Sequence, residues 1–511
     1  MTQPFNHPAT PIHPMRPVIP AILLTLSLVF FPGSTLFSQG NRPVYTGHNA
    51  ASVPAGVPAK QVAEQAGNLT PSARQLAWQR TEFNAFIHFG LNTFTGKEWG
   101  DGKDDPALFN PVKLDARQWV RTFRDAGMKM VILTARHHDG FCLWPTTTTG
   151  YSVAASPWKN GKGDVVGEVA AACREYGLKF GVYLSPWDRH EPAYGSGETY
   201  NRYFMTQLRE LLTGYGEISE VWFDGACGEG PNGKKQSYDW SAWYALVREL
   251  QPGAVIAIMG PDVRWVGTES GYGRETEWSV IPGRLRNPES LPEESDQSVT
   301  DREFLPGDLM DADLGSREKL SGARSLLWYP AETDVSIRPG WFHHSSDNKK
   351  VKSPQELADI YFHSAGMNSV LLLNVPPDKR GLIHKNDIRS LTGLRKILDA
   401  TFTINLIEKA TSRYRNGIIE YDFPAAVTFD VAMLQEDIKT GQRIGKFRFE
   451  AWDGTSWKPF TTGTTAGYKR LLRFPAVTAQ KVRLVIEEAR GEPALMNVGL
   501  YLGSGLPALN R

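Results

Sequence analysis

The chain has 511 residues, with 56 basic and 55 acidic side chains and a formal net charge of +1. That length is enough for two or three domains with sizeable cores. The charge balance excludes the broad basic face that a nucleic-acid binder needs. Its cysteines, Cys142, Cys173 and Cys227, are too few for a disulfide framework, and all three read as buried thiols. No Cys/His cluster has the spacing of a metal site. Fifteen tryptophans stand out in the composition; most read as core, and a minority as flat faces for a ligand.

In chain order, Arg16 is followed by an apolar run over residues 21–31 and then by Pro32, Gly33 and Ser34. This charged, apolar, small-residue order predicts a signal peptide over 1–38, cleaved near Ser38. The run falls short of the about 20 apolar residues that a membrane span needs, so the mature protein is expected in the periplasm or outside the cell. Residues 39–70 are rich in Gly, Pro, Ala and Val without a period, and read as an N-terminal arm or linker.

From residue 71 to about 400, short apolar runs alternate with amphipathic stretches. The runs lie at 85–89, 130–134, 180–184, 221–223, 254–258, 325–328 and 370–373. Continuous runs of this kind suit parallel strands buried on both faces. Between them, 115–126 has Asp115 as N-cap and Gly127 as terminator, and 165–176, 200–212, 241–250 and 354–365 read as further helices. Polar or aromatic residues stand at the strand ends: His88, Arg136, Tyr183, Asp224 and Asp262. The pattern predicts an α/β fold of the (β/α)8-like barrel type, with its site at the C-terminal ends of the strands. The rival, an open doubly wound sheet, lacks its Gly-rich loop after the first strand. Residues 401–511 alternate apolar and polar positions around an Asp453-Gly454 turn, and read as a β-sandwich that either binds carbohydrate or packs on the barrel.

The central motif is Glu220-Val-Trp-Phe-Asp224-Gly-Ala226, an apolar strand ending in an acid and two small residues. Small residues let a ligand approach closely. Asp224 is therefore placed to attack an anomeric carbon, or else it caps the next segment. His88-Phe89-Gly90, Glu98-Trp99, His137-His138-Asp139-Gly140 and Tyr183 follow neighbouring strands and would converge on one pocket. Imidazole, carboxylate and phenol groups hydrogen-bond sugar hydroxyls. Neighbouring histidines on a strand point to opposite faces, which disfavours joint metal capture by His137 and His138.

These motifs, together with Trp222-Phe-Asp-Gly225 and Leu372-Leu-Asn-Val-Pro-Pro-Asp378, resemble glycoside hydrolase family 29, the retaining α-L-fucosidases, over residues 70–400. The resemblance implies a fucosylated glycan as substrate and neither metal nor organic cofactor. It makes Asp224 the nucleophile and places His88, Glu98, Trp99, His137, His138, Tyr183 and Trp222 around fucose. Residues 260–271 resemble the stretch carrying the acid/base in the subfamily selective for α-1,3- and α-1,4-linked fucose, with Thr268 where Asn is expected. This selects Glu269 from Asp262, Glu269, Glu275 and Glu277, with Glu277 the runner-up, and adds Arg264 as a substrate contact. Residues 332–341 resemble the same subfamily, so that Glu332, Asp334 and Arg338 are read either as contacts with the aglycone sugars from a loop or as a local salt-bridge cluster. A broader-linkage fucosidase, a transfucosidase and a non-catalytic fucose-binding surface protein are the competing readings.

Overall fold

The computed structural model describes residues 47–287 and 309–509; the expected signal peptide and the first residues of the arm lie outside them. Eight parallel strands form one nearly closed sheet: β1 (Phe83–Ile87), β2 (Met130–Arg136), β3 (Lys179–Leu184), β4 (Glu220–Phe223), β5 (Val255–Ile258), β6 (Arg264–Trp265), β7 (Ala331–Ser336) and β8 (Val370–Asn374). Their order is β5-β4-β3-β2-β1-β8-β7-β6. The helices Ala116–Ala126 and Val165–Tyr176 begin at Asp115 and Asp164, whose carboxylates accept from the backbone of Gln118 and Gly167. Both end on a left-handed glycine, Gly127 and Gly177, as their sequences predict.

The runs are continuous because each strand is covered twice. Phe83, Ala85, Ile87, Val131, Leu133, Val182 and Val221 pack outward with the helices. Alternate residues Phe86, Ile132, Tyr183, Trp222, Ala257, Trp265 and Leu372 fill the inside, with Trp78 among them. The interior is thus packed core with a blind end, and only the C-terminal mouth is left for a ligand.

β5 and β6 stand at the two ends of this hydrogen-bonded order. Asp262 bridges the seam: its carboxylate accepts from the Ile256 N–H at 2.9 Å and from Arg74 Nε at 3.0 Å, and pairs with Arg248. Asp262 is structural and leaves the set of acid/base candidates.

Three expectations change. Part of the arm is folded: Ala50–Ser52 pairs antiparallel with Ser325–Trp328, and Ala59–Asn68 is a helix burying Val62, Ala63 and Ala66. The run 325–328, read as a barrel strand, belongs to that small outer sheet, while β7, which carries Glu, Thr, Asp and Ser, takes the barrel position. Cys227, read as buried, is exposed.

The C-terminal region forms a six-stranded antiparallel sheet. Register shifts between Asp422 and Val427 and between Phe429 and Val431 mark irregularities that bend its long strand Ile418–Glu436. Phe429, Phe447, Phe449, Phe474 and Leu484 form its own core. The predicted hairpin is present, with Asp453 accepting from the N–H groups of Thr455 and Ser456. The sheet packs on the barrel through Gln442, which donates to the Glu277 carbonyl, and through the Tyr468 N–H, which donates to Asn368 Oδ1.

Candidate active site

Two residues of β4 and one just beyond it set the frame. Alternation points Glu220, Trp222 and Asp224 to the inside, at rising heights. Asp224 Oδ2 accepts from the Tyr183 phenol at 2.8 Å, and Oδ1 accepts from the Ala226 N–H at 2.8 Å. Both oxygens accept, which is the pattern of a carboxylate. The donors are a phenol and an amide, and His138 Nε2 stands 3.8 Å from Oδ2.

His138 Nδ1 lies 2.7 Å from Ser185 Oγ, whose own hydrogen goes to the Trp187 carbonyl. The hydrogen of His138 is therefore on Nδ1, and Nε2 is an acceptor facing the cavity. His88 Nδ1 likewise meets Asn374 Oδ1 at 3.0 Å. Burial pushes the imidazoles of His88, His137 and His138 down, His88 to about 3. They are neutral hydrogen-bonding groups at working pH. The His137 and His138 rings lie 4.1 Å apart. Strand alternation does not separate them, because β2 ends at Arg136 and both stand in the loop beyond it. Among the described residues, no group of three or more His, Cys, Asp or Glu is arranged to hold a metal ion.

Glu269 enters from the loop after β6, between Gly267 and Gly271, which both have positive φ. A Cβ at Gly271 would press on Val335, so the turn needs glycine. Glu269 Oε2 accepts from the Trp341 indole N–H at 3.2 Å. Burial, then the neighbouring Asp334 charge and more weakly those of Asp224 and Glu98, push Glu269 up to about 8. Asp334 itself, holding the Trp265 indole N–H at 2.7 Å, is pushed up to about 7 by burial. Glu98 pairs with His344 at 2.7 Å and accepts from the Trp341 N–H at 2.8 Å. Trp99 lies at the rim, 47% exposed, with its edge toward His138 and Trp187.

Set beside known proteins, residues 77–401 match the family model described as α-L-fucosidase. The chain belongs to the α-L-fucosidase family. Arabidopsis thaliana α-L-fucosidase 1 is 42% identical, over 84% of this chain and 87% of that one. A glycoside hydrolase 29 family member from an unknown rumen bacterium superposes with a TM-score of 0.76 at 43% identity, covering 86% and 78% of the two chains. A Ruminococcus gnavus fucosidase of family 29, in complex with fucose, gives 0.73 at 30% identity, covering 86% and 96%.

In this α-L-fucosidase, several residues singled out in the sequence do not reach the mouth. Arg264 and Glu277 pair with each other beneath the C-terminal sheet and are almost fully buried, with Arg274 at 3.5 Å. Neither is free to meet substrate or to act as acid/base. Glu275 points to solvent, 78% exposed, beside Arg470. Glu332 is on β7 rather than on a loop, buried inside the barrel and bonded to the Trp222 indole N–H at 2.8 Å. Arg338 pairs with Asp387 at 2.7 Å, not with Glu332 or Asp334, so that run is neither an aglycone loop throughout nor one salt-bridge cluster.

The structure adds Trp341, Trp187, Phe342, Asn374 and His344 to the fucosidase pocket. Trp341 lies 4.9 Å from His88, and Phe342 packs edge-on against His88 and His137. Trp341 and Asn374 fall in stretches that resemble the family, and that was the signal which could have named them.

Two tests follow directly. Glu277→Ala removes the carboxylate that two buried guanidinium groups share and should cost about 3–5 kcal/mol of stability in urea unfolding; a loss under about 1 kcal/mol contradicts the ion-pair reading. Trp341→Phe keeps the ring but removes the N–H that favours charged Glu269. The alkaline limb of the activity profile should then move up by about half to one pH unit; a limb that stays or moves down counts against the contact.

Proposed function

We propose that the enzyme is a retaining exo-α-L-fucosidase in which Asp224 is the nucleophile and Glu269 the acid/base. The observation that carries this reading is the contrast between two carboxyls at one mouth. Asp224 accepts hydrogen bonds on both oxygens, while Glu269 is held protonated up to about pH 8. Asp224 attacks C1 of fucose as the glycosidic bond breaks, and the Glu269 proton goes to the departing oxygen. The Glu269 carboxylate then takes a proton from water, whose oxygen displaces Asp224 from C1. Retention asks for carboxyls about 5–5.5 Å apart.

The neutral rings of His88, His137 and His138, with Glu98 and Tyr183, supply donors and acceptors for the fucose hydroxyls. Trp99 offers an exposed apolar face at the rim, and Trp222 closes the floor. A blind pocket of this kind takes a chain end, hence exo action. The complex of the Ruminococcus gnavus neighbour with fucose supports the choice of sugar.

For linkage we read α-1,3 and α-1,4, on the resemblance of 260–271 and on Glu269 emerging from that stretch. Export to the periplasm or beyond rests on the apolar run at 21–31. Among the described residues, no helix is long and apolar enough to cross a membrane.

The decisive experiment follows the reaction by proton NMR from the first turnover, on a trisaccharide with α-1,4-fucose beside a galactose branch and on an α-1,2-fucosylated one. α-Fucose released first, faster from the branched substrate, is the expected result. β-Fucose released first removes the nucleophile role, and equal rates on both sugars favour the broader-linkage reading. Transfer to an added sugar acceptor in preference to water would favour a transfucosidase.

A further inference from the structure

Below the mouth, the barrel interior holds a second pair of acids that the reaction does not touch. Glu220 begins β4 and Glu332 is the second residue of β7; both side chains are fully buried. Glu220 Oε2 accepts from the Trp78 indole N–H at 2.8 Å, and Glu332 Oε2 accepts from the Trp222 indole N–H at 2.8 Å. The two carboxyls act on each other inside the barrel. Their Oε1 atoms are buried and have no hydrogen-bond partner among the described residues, and no Lys, Arg or His there forms an ion pair with either. Two adjacent buried carboxylates without a cation repel strongly, and a carboxylate has no hydrogen to give. One proton held between the two Oε1 atoms satisfies both.

We propose that Glu220 and Glu332 form a pair sharing one proton, which positions Trp222 and, through it, the Tyr183–Asp224 hydrogen bond. The contacts run without a break. Glu332 fixes the Trp222 indole; Trp222 stacks on Tyr183 with ring centres 5.3 Å apart and planes 22° apart; the Tyr183 phenol donates to Asp224. Phe86 packs on both rings and keeps them in place. Room for the pair comes from Gly181, where a Cβ would stand 3.2 Å from that of Glu220. The nearest other acid on β7 is Asp334, one layer nearer the mouth and held by Trp265. Burial pushes Glu220 up to about 8 and Glu332 well above the ordinary carboxylate range, consistent with a proton that stays bound at neutral pH. Glu332 is thus a positioning residue that never meets the sugar.

This inference rests on Asp224 being the nucleophile, and the test separates the two. Wild type, Glu332→Gln and Glu332→Leu are compared by steady-state kinetics on an aryl α-L-fucoside, by thermal unfolding, and by mass mapping of the residue labelled by a 2-fluoro-fucosyl fluoride. Gln keeps an acceptor for Trp222 and gives Glu220 a permanent donor, so Glu332→Gln should hold kcat within about threefold of wild type. Leu leaves Trp222 unanchored, and kcat should fall about 30-fold while KM moves less than about threefold. A folded Glu332→Leu protein with wild-type kcat overturns the proposal, as does a Gln variant that loses as much as the Leu one.

If Leu does not fold, the infrared difference between wild type and Glu332→Gln at neutral pH decides. The carbonyl stretch of a protonated carboxylic acid should be present in the wild type and lost in the variant; its absence from the difference overturns the shared proton. Label on a residue other than Asp224 sinks the reading of the mouth itself, whatever Glu332 does.

Discussion

Asp224→Ala should abolish turnover, with kcat on an aryl fucoside falling on the order of 10⁴-fold or more. Nothing packs through this side chain: its contacts are one phenol, one backbone amide and the edge of an imidazole. The melting temperature should therefore change little. With the carboxylate gone, space is left on the face opposite the departing oxygen. Azide should enter it and yield β-fucosyl azide, with inverted configuration. Near-normal turnover in the variant, or an α-configured azide product, would mean that another group attacks C1.

Glu269→Ala should separate substrates by leaving group. A general acid contributes about 10²–10⁴-fold when the departing oxygen is basic. Loss on a fucosylated oligosaccharide should approach about 10³-fold, and loss on a nitrophenyl fucoside, which needs little protonation, should be far smaller. The pH profile tests the same assignment. A carboxyl raised to about 8 supplies its proton below that pH and loses the ability as pH rises through it. Wild-type kcat on the oligosaccharide should fall above pH 8, and the variant should lose that limb. Equal losses on both substrates, with the limb retained, would move the role to another acid. Asp334, the charge that acts most on Glu269, is one such raised carboxyl.

The barrel was legible because strands covered on both faces leave unbroken apolar runs, and because capped helices separate them. Its exception is instructive. β7 has Glu332, Thr333, Asp334 and Ser336 in six residues and carries no apolar run, so the run at 325–328 took its place in the reading. Polar residues are tolerated on β7 because each inward carboxyl is met by an indole N–H, Trp222 for Glu332 and Trp265 for Asp334. The helix at Ala59–Asn68 was hidden by a composition of small residues, whose buried face is Val62 and three of those small residues.

At the site, the strand-end residues Asp224, His88, Tyr183, His137 and His138 were readable one at a time, and Glu269 by resemblance. What joins them was not. Trp341 meets Glu269 across 72 residues, and His88 meets Asn374 across 286. Such pairings are set by barrel closure, which a linear pattern does not encode. The same closure sent Arg264 and Arg338 to buried partners, Glu277 and Asp387, on the far side of their own backbone.

The seam between β5 and β6 is fastened by the side chain of Asp262 instead of by strand-to-strand bonding, and β6 has just two residues. The segment bearing Glu269, the proposed proton donor, follows a strand that pairs with β7 alone and is clasped by Asp262 on its other side, whereas Asp224 follows a strand paired on both sides. Residues inserted or removed after the clasp alter where the donor stands without unpicking any staves. On the proposed roles, the angle from which the leaving sugar is approached can be retuned along a lineage while Asp224 stays fixed, so selectivity for the departing group is free to diverge faster than selectivity for the sugar in the blind end.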